Sequence, residues 1–167
     1  MAPEQVADGL LEVLVDAVQR VSQGFDRWDD QYVRGPGLYV LVVDGTPDAY
    51  SDPMGHNRWP VEECQNVTDD PDQFVETARS VGTTNDGAIV VNTDGRIEQQ
   101  MVRLYYLRST DETRPEAGAV EYADWMGTRH MSAAEASARS NVVATVTLSE
   151  EDGRVSMFVD GEHRPVA

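Results

Sequence analysis

The chain has 167 residues, with 30 acids against 13 bases and a formal net charge of −17; every base is Arg and none is Lys. That length is one domain's worth and can bury a core without disulfide or metal staples, and with no basic patch or stripe it excludes a nucleic-acid groove. The acids are spread along the chain and would self-repel in dilute buffer, whereas at molar salt the Debye length falls to ~3 Å, so the composition predicts adaptation to a salt-rich cytoplasm.

No basic start followed by an apolar stretch marks a secretory signal. Residues 4–22 have apolar side chains at helical spacing (Val6, Leu10, Val13, Leu14, Ala17, Val18, Val21) with Pro3 near the start, which predicts an amphipathic core-packing helix. Residues 24–37 are a polar connection punctuated by Gly and Pro. Leu38 to Val43 is a buried strand; it is also the longest strongly apolar run, far too short to cross a membrane. Residues 46–63 are loop-rich, and His56 among them is a loop histidine without a second ligand at a recognisable spacing. Cys64, the lone cysteine, excludes an intramolecular disulfide and fits a reducing compartment, so the expected location is the cytoplasm. Asp69-Asp70-Pro71-Asp72 starts a short helix over 72–81. Ala88 to Val91 is a strand, Asp94-Gly95 a hairpin turn, and Arg96 to Leu104 the return strand. Residues 108–119 are charged and contain Pro115 and Gly118, a flexible loop or insertion. A helix over 132–140 follows. Val142 to Leu148 and Arg154 to Val159 form a second hairpin around Asp152-Gly153, and the remaining residues are a short tail. Strands interleaved with helices predict a single α/β domain, and two hairpins make its sheet mixed, with helices flanking it.

Two stretches could carry chemistry. Asp-Gly occurs six times. Strand-like segments flank Asp94-Gly95 and Asp152-Gly153 on both sides, as hairpin turns require. Asp86-Gly87 instead follows a polar loop and precedes a strand, so its carboxylate projects at a sheet end, and Gly87 allows close approach of a ligand or backbone. The second stretch is Gly127-Thr128-Arg129-His130-Met131-Ser132. Ser132 and Glu135 have capping-box spacing, and free amides at the start of an Ala- and Ser-rich helix favour an anion. Arg129, His130 and Thr128 beside that end make a phosphate site; an ordinary capped helix with an exposed Arg and His accounts for the same residues. Ser149-Glu150-Glu151 ends a strand, as a solvated acidic turn or as a hydroxyl and a carboxylate beside a metal–phosphate site.

In this order, Asp86-Gly87-Ala88, Gly127-Thr128-Arg129-His130 and Ser149-Glu150-Glu151 resemble the motifs of diadenylate cyclases, with a haloarchaeal-like composition. The likeness is clearest over 75–161. It departs at Met131, where that family has a second Arg, and in a longer spacing between the motifs that implies an insertion near 108–122. The resemblance implies that two ATP-loaded copies face each other as a homodimer or higher homo-oligomer and condense two ATP into cyclic di-AMP with release of two pyrophosphates. It implies that Asp86 holds a divalent metal (Mg or Mn) and positions the attacking hydroxyl, with Glu150 assisting at the metal. Arg129, His130, Thr128, Ser132 and Ser149 would hold phosphates. Gly87 and Leu104 would line the nucleoside pocket, with Ala88 and Gly127 completing the nucleotide contacts. Arg108 and Arg114 are the two arginines of the long loop that could stand in for the one missing at Met131. The alternative is a nucleotide-binding or sensing domain that lost turnover with that arginine.

Overall fold

The computed structural model describes residues 3–115, 117–120 and 122–166. In chain order it contains α1 (Pro3–Gln23), β1 (Leu38–Val43), β2 (Ser51–Arg58), α2 (Pro71–Thr84), β3 (Ile89–Asn92), β4 (Gln100–Leu104), α3 (Thr128–Ser137), β5 (Val142–Leu148), β6 (Val155–Val159) and β7 (Glu162–Arg164). Glu116 and Glu121 in the expected insertion lie outside the described residues, as does the side chain of Val6.

The main sheet has the order β3-β1-β5-β6-β7. β1 pairs with β3 in parallel and with β5 antiparallel, so the sheet is mixed. All six residues of β1 are buried because it is covered on both faces. Leu38, Val40 and Val42 point into a core made with α1 and α2, which also contains Trp59 and Phe74. Tyr39, Leu41 and Val43 point the other way, against Ala133, Ala134 and Ala136 of α3. The strand alternation thus divides one sheet into two cores.

α2 begins as its sequence dictates: the Asp70 carboxylate accepts from Gln73 N at 3.1 Å, with Pro71 in the first turn. α3 does not. It starts at Thr128, four residues before the Ser132 capping box read from the sequence. Ser132 and Glu135 are engaged elsewhere, Ser132 with the Tyr39 hydroxyl and Glu135 with Leu107 N, so neither caps. Gly127 is the N-cap, and its N–H reaches His130 Nδ1 at 3.4 Å.

Three further expectations change. Residues 46–63 contain β2, which pairs with β4 in a separate two-stranded sheet. Pro53 and the positive-φ Gly55 fit there because the register shifts between Pro53 and Arg58. The return strand is correspondingly broken. Asp94-Gly95 does turn the chain, with Asn92 N donating to Arg96 O at 2.8 Å. The strand proper, however, begins only at Gln100 and lies against β2. The tail contains β7, joined to β6 by a tight turn at Asp160 (φ 56°) and Gly161 (φ 80°).

Candidate active site

The head of β3 and the start of α3 meet over one cavity of about 600 Å³. Gly87 and Ala88 form part of its wall, Leu104 and Val102 come from β4, and Thr128, Arg129 and Ser132 come from the first turns of α3. The backbone around Gly87 has little slack. Its φ is 108°, and a Cβ there would lie 2.9 Å from Met54 Cγ and 3.2 Å from Val102 O. Only glycine accepts that conformation and that proximity without strain. Ala88 is locked next to it by paired backbone hydrogen bonds to Val102.

Asp86 stands at this junction, exposed, with its N–H bound to Asn57 Oδ1 at 3.0 Å. Its carboxylate has no ion-pair partner among the described residues. Arg129 is half-buried, and its Nη1 reaches Leu148 O at 3.5 Å. Room for its guanidinium comes from Gly37, where a Cβ would sit only 2.4 Å from Arg129 Nη1. At the cavity floor the Tyr39 hydroxyl shares a 3.1 Å hydrogen bond with Ser132 Oγ, and burial pushes the phenol's pKa well above its ordinary value.

A second cavity of about 360 Å³ lies on the far side of Thr128 and Arg129, which line both. Gly127, His130, Ser149 and Glu150 border this second cavity and not the first. Glu150 is paired with Arg34 at 3.0 Å. The predicted residues other than Asp86 thus fall into two groups that share the first turn of α3; Asp86 borders neither cavity and stands exposed beside Gly87. Among the described residues no cluster of three or more His, Cys, Asp or Glu is arranged to hold a metal.

His130 packs edge-on to Trp125, with ring centroids 5.1 Å apart, and His163 packs on the same indole at the same distance. The Arg154 guanidinium lies 3.6 Å from the Trp125 ring centroid. Burial lowers the pKa of His130, helped by the positive charges of Arg129 and Arg154 and opposed by Asp152. At neutral pH the imidazole is therefore uncharged. With Nδ1 accepting from Gly127, the proton sits on Nε2, a buried atom without a protein partner. His130 is thus a neutral ring whose Nε2–H is buried against its neighbours without a protein acceptor.

Several lining residues carry no sequence expectation: Tyr39, Met54, Arg103, Tyr105 and Tyr106. Arg108, one of the two loop arginines that could stand in for the one missing at Met131, does line the cavity, and Arg114 does not. The strap Tyr105–Arg108 left one trace, two adjacent tyrosines directly after a strand. Met54 left none, because its strand was hidden by Pro53 and Gly55. His56 is exposed on β2, away from any ligand set.

Comparisons with known proteins bear on the family and the fold. The sequence profile of the DAC family, described as the nucleotide-binding domain of the DisA bacterial checkpoint controller, matches residues 72–163. No curated protein sequence matches. Among solved structures, a cysteine double mutant of DacA from Staphylococcus aureus superposes with a TM-score of 0.56 at 22% identity, covering 94% of this chain and 85% of that one. A hypothetical membrane spanning protein from Bacillus cereus gives 0.58 at 20% identity, over 93% of this chain and 62% of that one. At these identities the two structures show the shared mixed α/β fold. Here no described helix is long and apolar enough to cross a membrane. Because the profile spans more than half of the sequence and both of its central motifs, the chain belongs to the DAC family of nucleotide-binding domains.

Proposed function

We propose that this chain is a diadenylate cyclase that condenses two ATP into cyclic di-AMP across a face-to-face pair of copies in a salt-rich cytoplasm. One observation carries the reading: Gly87-Ala88 and Thr128-Arg129, 40 residues apart in sequence, wall the same 600 Å³ cavity. That volume lies within the range of small-molecule sites. Leu104 and Ala88 offer apolar surface to the base, Gly87 lets the nucleoside approach the backbone, and Thr128, Arg129 and Ser132 face the phosphates.

Each ribose 3′-hydroxyl oxygen bonds to the α-phosphorus of the opposite ATP as the bond from that phosphorus to pyrophosphate breaks. The hydroxyl proton leaves to water past the Asp86 carboxylate. This is catalysis by positioning and by stabilising developing charge, with no protein nucleophile. Asp86 would hold the divalent ion, Mg²⁺ or Mn²⁺, which supplies Lewis-acid and template chemistry when bound. A single unpaired carboxylate fits such an ion, because Mg²⁺ takes one or two carboxylates plus substrate phosphates and waters. Glu150 would join only by releasing Arg34. Ser149, across the shared wall, suits the leaving pyrophosphate. Tyr105, Tyr106 and Met131, exposed on the strap and on α3, offer apolar surface to the second copy.

The test is to incubate the purified protein with ATP and Mg²⁺ or Mn²⁺ in molar KCl and to identify the product by mass. Cyclic di-AMP is the expected product. ATP binding without product under every metal and salt condition would overturn the reading. Met131 favours a second reading, a binding or sensing domain without turnover, because it borders neither cavity and offers no phosphate donor. Activity that arises only in Met131→Arg would support that reading.

A further inference from the structure

We propose that Arg108 is a second anion-gripping residue of the larger cavity, presented on a strap that two buried charges pin to the α3 side. The proposal rests on the nucleotide-binding reading and names a side chain of that cavity, besides Arg129, that meets the phosphates.

Charge pairing is the first observation. Acids outnumber arginines by more than two to one in this chain, and nine of the 13 arginines stand in ion pairs. Arg108 and Arg129 both line the 600 Å³ cavity, and neither guanidinium has a carboxylate partner among the described residues. Arg103, the third arginine on that wall, is tied to Asp52 at 3.1 Å. Two unpaired cations facing one cavity of a −17 protein fit a polyanionic ligand.

The second observation is how the strap is held. Tyr105 N donates to Tyr50 O at 2.9 Å. Leu107 N donates to Glu135 Oε1 at 2.6 Å, and Arg139 Nη2 donates to the carbonyls of Tyr105 and Tyr106 at 3.1 and 3.4 Å. Arg108 N donates to Asp111 Oδ2 at 2.8 Å, and the same oxygen meets Arg139 Nη1 at 3.4 Å. Glu135 and Arg139 are both buried. Burying such charges is costly unless they are compensated. Glu135 Oε1 and Arg139 Nη2 turn to the backbone of the strap, while Glu135 Oε2 accepts from the Tyr122 hydroxyl and the Arg139 guanidinium lies over the Tyr50 ring. The fixed backbone brings an exposed, long side chain to the cavity rim.

Arg114, the other arginine of the loop, is not available for this role. Its Nε lies 2.8 Å from Asp160 Oδ1, and its Nη1 donates to Val142 O at 2.8 Å.

Calorimetric titration of the full chain with Mg-ATP and, separately, with adenosine tests the proposal in unaltered protein, R108Q, R108K and R129Q. R108Q should bind Mg-ATP at least about tenfold more weakly, the loss of a charged hydrogen bond, with adenosine affinity held within about twofold. R108K should fall between R108Q and unaltered protein. Mg-ATP affinity unchanged in R108Q while R129Q loses it would overturn the role of Arg108 and leave the site standing. Equal weakening of both ligands in R108Q and R108K would mark a merely structural residue and would also overturn it. Unaltered protein that binds neither ligand would overturn the nucleotide site and this proposal together.

Discussion

The two faces of the central sheet are built on opposite principles. Against α1 and α2 the sheet buries large apolar side chains, with Trp59 stacked on Phe74 at 5.3 Å and Leu14 fully covered. Against α3 it buries alanines together with polar groups, several of which hold specific partners. Thr145 Oγ1 donates to Ala133 O at 2.8 Å, Ser137 Oγ accepts from Gly161 N at 2.9 Å, and Glu135 and Arg139 hold the strap. Burial of large apolar surface stabilises without specifying direction. A buried polar network specifies direction and contributes less to stability. The first face keeps the molecule folded, and the second sets where the groups around the cavity stand.

Four measurements would break or sharpen that contrast. Phe74→Ala should cost about 3–5 kcal/mol by chemical denaturation, while the protein that remains folded keeps its ATP affinity; a large affinity loss would show that the two faces are coupled. Asp86→Asn should lower turnover by about 10²–10³-fold, the scale for losing one charge-positioning group, with an unchanged melting temperature. Glu135→Ala should cost about 1–3 kcal/mol, because Leu107 N loses its buried acceptor, and should also weaken ATP binding. A stability change with no binding change would separate the strap from the site.

The smallest effect concerns pH. Burial and nearby arginines depress the folded-state pKa of His130 and His163 below the usual 6.5. The unfolded chain therefore takes up protons first as pH falls, so stability is complete above about pH 6.5 and declines below it until the folded-state values are passed. Replacing both histidines with Gln should flatten this slope in melting experiments run above the carboxylate range. An identical slope in the double variant would place its origin elsewhere.

Legibility in the sequence follows how local each signal is. β1 declares itself because a strand covered on both faces reads as a nearly continuous apolar run, and β5 through its β-branched residues, Val142, Val143, Thr145, Val146 and Thr147. α2 declares itself through Asp70 and Pro71. β2 is invisible because Pro53, Gly55 and His56 lack any strand pattern, and its pairing with β4 becomes apparent only in three dimensions. The start of α3 was misread because Ser132 and Glu135 satisfy a local rule but are used by distant partners, Tyr39 and Leu107. The same division holds at the cavity. Gly87, Ala88, Thr128 and Arg129 lie in compact motifs, whereas Tyr39, Met54 and Arg108 arrive from separate elements. Sequence also grouped Glu150 with Asp86, while the fold sets Glu150 beside Arg34 on the second cavity.

The pinned strap bears on how this chain can vary in length. The anchors at Tyr105, Leu107 and Arg108 precede the long segment leading to α3, and Arg114 is clamped to Val142 and Asp160. Residues added beyond Arg114 would pull on that clamp before reaching the cavity wall. Doubling a loop costs only about 0.6 kcal/mol in closure entropy. An insertion near Gly118, where a Cβ would meet nothing within 4 Å, can therefore lengthen this stretch while the strap that carries Arg108 keeps its anchors.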